Sequence, residues 1–116
     1  MAKLSTHILD TVYGAPAAQV LVDLFKIDGA QEHLIVSVRT NADGRTDKPL
    51  LEGEAVKRGL YRLVFHIGDH FRAKGLTLSN PPFIDLVPVD FGMEEGGSYH
   101  VPLVCSPWTY STYRGS

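Results

Sequence analysis

Apolar and polar residues alternate with a period of two along much of this chain, in short runs cut apart by turn residues. Such runs read as strands with one face buried and one face open. Leu4–Asp10 is the first, with Leu4, Thr6 and Ile8 on one face and Ser5, His7 and Leu9 on the other. Gly14-Ala15-Pro16 breaks it. In Gln19–Ile27, Val20, Val22 and Leu24 alternate with Leu21, Asp23 and Phe25. Asp28-Gly29 is a tight hairpin signal, and Glu32–Thr40 is its partner strand. Further strands are predicted at Gly59–Ile67, Ile84–Phe91, Tyr99–Ser106 and Thr109–Arg114, with a bend at Pro107. One short helix is expected over Gly68–Lys74, with Asp69 near its N-cap and Gly75 closing it. Asn80-Pro81-Pro82 forces an extended link. The sum is seven or eight strands and one accessory helix, an all-β, antiparallel two-sheet sandwich whose edge strands invite pairing between subunits.

The 116 residues make a single domain, 1–116, able to bury a core without metal or disulfide staples. A net charge of −2 supplies no basic surface for nucleic acid. No apolar run approaches the roughly 20 residues that span a bilayer, and no basic amphipathic helix marks a membrane surface. Neither nucleic acid nor membrane is therefore expected as a partner. Cys105 is the one cysteine; its place in Val101-Pro102-Leu103-Val104-Cys105 reads as core packing. With no disulfide to form and no signal-like start, a cytoplasmic protein is expected.

Several chemistries lack their motifs. Gly96-Gly97 has neither the spacing nor the following helix of a phosphate loop, and there is no Gly-x-Ser-x-Gly elbow. His66 and His70 are four apart, but Gly68 divides strand from helix between them, so no metal site is assigned. His33 beside Glu32 reads as a solvated turn residue.

Four features are more informative. His7 points outward if Ile8 faces the core, and it is either a bare surface histidine or part of a site. In Tyr99–Cys105, Val101, Leu103 and Cys105 share one face, leaving His100, Pro102 and Val104 on the other. A hairpin through Pro107 lays the row Ser111, Tyr113 and Gly115 beside that second face. Two histidines and a tyrosine then share an outer surface that also carries Leu9, Pro102 and Val104, which is too apolar to be wholly solvated and suggests burial against another subunit. Arg45, between Asp43 and Asp47, is either a surface ion pair or a guanidinium for a planar, carbonyl-rich or anionic ligand. The closing Tyr113-Arg114-Gly115-Ser116 is either idle or held by the fold and used.

Taken together, Leu4-Ser5-Thr6-His7-Ile8-Leu9-Asp10, Gly14-Ala15-Pro16-Ala17, Thr40-Asn41-Ala42-Asp43-Gly44-Arg45-Thr46-Asp47, Ser106-Pro107-Trp108 and the terminal Tyr113-Arg114-Gly115-Ser116 resemble the 5-hydroxyisourate hydrolases. These are the enzymatic branch of the transthyretin-like family, and the terminal tetrapeptide is their signature, absent from hormone-carrying transthyretins. The similarity spans essentially the whole chain. It implies a transthyretin-like sandwich assembled as a homotetramer, a dimer of dimers, with the outward face of the first and last two strands lining a channel. It further implies cofactor-free hydrolysis of a cyclic amide of 5-hydroxyisourate, a small-molecule substrate of urate breakdown, to 2-oxo-4-hydroxy-4-carboxy-5-ureidoimidazoline.

The residue types suit that chemistry. Arg45 can bind the ring through its fork of donors and stabilise the developing oxyanion. His7 and His100 share base and orienting roles towards the attacking water, with His7 also contacting substrate. Ser116 acts through its hydroxyl or its carboxylate, Tyr113 contacts substrate, and Gly115 lets the backbone come close. Arg114, out of phase with Tyr113, positions the tail. The rival reading is a non-catalytic carrier of an iodothyronine-type aromatic, whose channel would need apolar, halogen-accommodating walls.

Overall fold

The structure, a computed structural model, describes residues 2–115. Nine strands occur in the order β1 (Lys3–Asp10), β2 (Ala15–Pro16), β3 (Leu21–Asp28), β4 (Gln31–Arg39), β5 (Leu51–Glu52), β6 (Gly59–His66), β7 (Leu86–Met93), β8 (Ser98–Cys105) and β9 (Tyr110–Thr112). Helix α1 (Ile67–Ala73) lies between β6 and β7. One sheet runs β2-β1-β8-β9, with β5 also paired to β1; the other runs β4-β3-β6-β7. The two sheets enclose one core. Leu4, Ile8, Leu103 and Cys105 face Val22, Leu24, Leu63, Phe65 and Val87 across it, and Ile67 and Phe71 of α1 close one side.

The expected sandwich is present, with four differences that have local causes. First, β1 and β8 pair in parallel, Ser5 beside His100 and His7 beside Pro102, inside sheets that are otherwise antiparallel. Alternation along a strand is blind to this, because a parallel and an antiparallel neighbour bury the same face. Second, Ala15-Pro16 does more than break the chain: it folds back as β2 on Leu9 and Asp10.

Third, the last strand is shorter than Thr109–Arg114. The β8–β9 register runs Cys105–Tyr110, Val104–Ser111 and Leu103–Thr112, then stops, and His100 and Gly115 meet in an isolated bridge. Continuing that register sets Tyr113 opposite Pro102, which has no N–H to give. The Pro102 carbonyl is taken by the Thr112 hydroxyl, at 2.8 Å. Fourth, β7 begins at Leu86 and not at Ile84, because Ile67 and Gly68 at the start of α1 donate their N–H groups to the Asp85 carbonyl.

Smaller expectations also shift. His66 occupies the α1 N-cap while Asp69 sits in the first turn, paired with Arg72. His33 lies in β4 and not in the turn, although it is exposed. The hairpin loop is Gly29-Ala30, between paired Asp28 and Gln31. Gly29 alone of the two has a positive φ, +61°, which suits the turn class with glycine at its first central position.

Candidate active site

The outward face of the β1–β8–β9 sheet carries the residues that the alternation groups together. Leu4, Thr6, Ile8 and Asp10 of β1 are buried, while Ser5, His7 and Leu9 are half-buried on the other side. In the parallel register Ser5 stands beside His100, His7 beside Pro102 and Leu9 beside Val104. The two histidines are thus one step apart diagonally on one face. Beyond β8 lie Ser111, beside Val104, and Gly115, beside His100.

Arg45 reaches this face because its loop is clamped to β1 on the edge away from β8, between the stretches that pair with β2 and β5. The Asn41 side-chain carbonyl accepts the N–H groups of Asp43 (2.9 Å) and Arg45 (3.2 Å), closing a tight polar turn. Asn41 N–H donates to the Arg45 carbonyl at 2.7 Å, and the Gly44 carbonyl accepts the Ile8 N–H at 2.9 Å. Gly44 has φ of +74°, and a Cβ there would lie 2.5 Å from the Ile8 carbonyl oxygen. Only glycine brings the loop this close to β1. Leu50 N–H then donates to the Leu4 carbonyl at 2.8 Å, so the loop follows the strand.

The surface ion pair considered for Arg45 does not form among the described residues. Asp47 accepts the Asn41 side-chain amide instead, at 3.0 Å, and no carboxylate of the described residues lies within salt-bridge range of the guanidinium. Arg45 is exposed, with Lys3, Ser5, Ser98, Tyr99 and His100 around a cleft of about 320 Å³. An unpaired guanidinium at the rim of a polar cleft is available to a ligand.

His100 is held on two edges of its ring. Ser5 Oγ and His100 Nδ1 lie 2.8 Å apart. On another edge Gly115 comes so close that a Cβ would sit 2.7 Å from His100 Cδ2, and Gly115 N–H donates to the His100 carbonyl at 2.7 Å. Partial burial, followed by the positive charge of Arg45 and smaller electrostatic contributions from His7 and Lys3, lowers the His100 pKa below the ordinary histidine value. The ring is therefore neutral at neutral pH.

The tail follows the face. Arg114 donates to the Ser98 carbonyl at 3.2 Å and lies over the Tyr99 ring, 4.4 Å from its centre. Tyr113 is exposed at 60%. Ser116 lies outside the described residues. Ser5 is the residue that sequence reasoning left without a role: the alternation put it on the right face, but its partner is 95 positions away.

Two of the remaining three histidines are committed elsewhere. His66 Nε2 bonds Asp23 and His70 Nε2 bonds Asp10, each at 2.8 Å. No group of three or more His, Cys, Asp or Glu side chains that could hold a metal ion occurs among the described residues.

The model of the HIUase/Transthyretin family matches residues 4–115. This chain belongs to that family. It is 52% identical over 115 residues to 5-hydroxyisourate hydrolase 2 of Rhizobium meliloti, covering 98% of this chain and 96% of that one. Among solved structures, (S)-allantoin synthase superposes with a TM-score of 0.93 at 39% identity; this chain spans 99% of its own length there but 44% of that protein. Sea bream transthyretin in complex with thyroxine superposes at 0.87 with 26% identity, covering 98% of this chain and 95% of that one. The sandwich is thus common to catalytic and hormone-binding members of the HIUase/Transthyretin family, and the contents of the outward face must distinguish them.

Proposed function

We propose that this chain is a 5-hydroxyisourate hydrolase. The observation that carries the reading is the convergence of His7, His100 and an Arg45 without a carboxylate partner among the described residues on one outward face. The 52% identity to a full-length relative of that name supports it. A polar, cation-rimmed cleft suits a small heterocycle dense in carbonyl and amide groups better than a halogenated aromatic.

In the proposed reaction Arg45 holds the ring through its guanidinium fork and stabilises the oxyanion as water attacks the cyclic amide carbonyl. The histidines take the proton from water and return one to the departing ring nitrogen. The C–N bond breaks, the carbonyl carbon becomes a carboxylate, and 2-oxo-4-hydroxy-4-carboxy-5-ureidoimidazoline results. Tyr113 and Ser116 contact substrate or water from the tail, while Arg114 and Gly115 position it. His7, Arg45 and His100 are the residues on which activity rests.

The same reading makes the enzyme a cytoplasmic homotetramer, a dimer of dimers, with this face turned inward. Exposed Trp108, Tyr110 and Tyr113 beside the face support the assembly, since large aromatics in water mark a surface that another subunit covers.

Loss of freshly generated 5-hydroxyisourate, supplied by urate oxidase and followed by ultraviolet absorbance, tests the proposal. The full chain should speed decay, whereas a chain ending at Tyr113 should leave it at the spontaneous rate. His7→Ala, Arg45→Ala and His100→Ala should each lose roughly tenfold or more while remaining folded tetramers. A folded tetramer that does not accelerate decay would overturn the reading.

A further inference from the structure

We propose that Ser5 is a positioning residue that fixes the tautomer of His100, keeping the ring proton on Nε2 so that His100 meets substrate as a hydrogen-bond donor. The inference deepens the hydrolase reading and rests on it for its catalytic meaning. Its structural basis is separate. The parallel β1–β8 register sets Ser5 directly beside His100, and Ser5 Oγ lies 2.8 Å from Nδ1.

A serine hydroxyl has one proton to give. Among the described residues, the hydrogen-bond partner of Ser5 Oγ is His100 Nδ1. With Oγ donating, Nδ1 is an acceptor and a neutral ring carries its proton on Nε2. In the opposite tautomer Nδ1–H would donate to Oγ, and the serine's own half-buried proton would then have no acceptor among the described residues. Gly115 stops the ring from swinging away, because its Cα lies against the Cδ2 edge. Nε2 is left without a hydrogen-bond partner among the described residues.

The surroundings of the ring act in the same direction. Lys3 faces it from β1 and Arg45 from the clamped loop, with His7 the titratable neighbour on β1; burial and the Arg45 charge foremost oppose a second proton. From the tail, Arg114 is turned onto Tyr99 and Ser98. A neutral imidazole presenting N–H polarises a carbonyl or donates to a leaving nitrogen without first having to bind a proton. It cannot at the same time accept the proton of water, since Nδ1 is occupied and Nε2 already carries one. The base role then falls to His7, and the two histidines of the site have different tasks.

The test combines a spectroscopic readout with a kinetic one. Long-range proton–nitrogen NMR of protein labelled with 15N-histidine, with the His100 signals identified from His100→Gln, reports the tautomer directly. The wild-type chain should show Nε2–H at pH 7, and Ser5→Ala should shift His100 towards a mixture with Nδ1–H. In Ser5→Ala, kcat should fall roughly tenfold with KM changed less than about twofold, since what is lost acts on the reacting centre and not on binding.

The His100 pKa, read by the same NMR across pH, should move up in Ser5→Ala. A bond donated to the Nδ1 lone pair favours the neutral ring, so its loss raises the His100 pKa. Ser5→Thr restores the hydroxyl and should recover both tautomer and kcat. An Nδ1–H ring in the wild type, or a His100 spectrum unchanged in a folded Ser5→Ala, would overturn the proposal. A wild-type Nε2–H ring in a chain without turnover would instead overturn the hydrolase reading and leave the Ser5 assignment standing.

Discussion

Gly115 lies against the imidazole of His100, so close that a Cβ at position 115 would come within 2.7 Å of Cδ2 and 3.3 Å of Cβ and Cγ. The φ of Gly115 is not positive, so its backbone accepts any L-residue and the need for glycine comes from the ring alone. Gly115→Ala should displace the imidazole while leaving the core untouched. The expected result is a loss of about tenfold or more in kcat/KM, because small misplacement of a reacting group is costly, with Tm shifted by less than about 2 °C. Wild-type kinetics in this variant would show that the tail does not set the position of His100.

Arg45 and His100 are coupled through charge. Burial is the largest cause of the lowered His100 pKa, and Arg45 the next. Arg45→Met removes the second cause and leaves the first, so the His100 pKa should rise yet remain below its ordinary value of 6.5. The sign follows from the charge removed: a neighbouring cation disfavours protonation of the ring, so its loss raises the pKa. Proton NMR titration of the His100 ring in the free protein measures this even where turnover is slow. An unchanged or lower pKa would mean that the Arg45 charge does not reach the ring.

Most of this face was legible in the sequence, and the parts that were not share one physical reason. Alternation in Leu4–Asp10 and Tyr99–Cys105 separates buried Ile8 and Leu103 from half-buried His7 and His100, because burial on one face is a local property of a strand. Which strands are neighbours, and in which direction, is not local. The parallel β1–β8 pairing, and with it the Ser5–His100 contact across 95 positions, leaves no periodic trace. The Arg45 loop shows the same limit. Asn41, Asp43 and Gly44 announce a turn, but the Ile8 carbonyl that makes Gly44 obligatory lies on another element. The interruption at Pro102 is an intermediate case: its lack of an N–H is written in the sequence, and its place opposite Tyr113 is not.

The clamp at Gly44 should therefore contribute to stability and to activity together. A side chain there meets both a strained backbone, at φ of +74°, and the Ile8 carbonyl. Gly44→Ala should cost about 1–3 kcal/mol, typical of a residue held in the left-handed region with further crowding, and kcat/KM should fall as Arg45 moves from β1. Gly14→Ala supplies the control. Gly14 has a similar φ of +65° but nothing within 4 Å of a Cβ, so its cost should be nearer 1 kcal/mol, with activity intact. Urea unfolding and kinetics of the two variants separate the effects. Equal stabilities would mean that the contact with Ile8 carries no weight.

Asp10 and His70 hold helix α1 to the end of β1 from inside the protein. Their side chains are 2% and 3% exposed and meet at 2.8 Å. The second Asp10 oxygen accepts the N–H groups of Val12 (2.8 Å) and Tyr13 (3.0 Å). Asp10→Ala leaves the buried His70 ring without its partner and removes the acceptor that shapes the exposed turn from β1 towards β2 at Val12 and Tyr13. The loss should be about 3 kcal/mol, chiefly because a buried polar group without a partner keeps its desolvation cost. Asp10→Asn retains an acceptor for the backbone donors and should lose less. Neither variant touches the outward face, so kcat of the folded fraction should stay near wild type while the urea midpoint drops. A normal midpoint in Asp10→Ala would show that α1 is secured by Ile67 and Phe71 alone, and a kcat that falls with the midpoint would place this buried pair in the service of the site across the sheet.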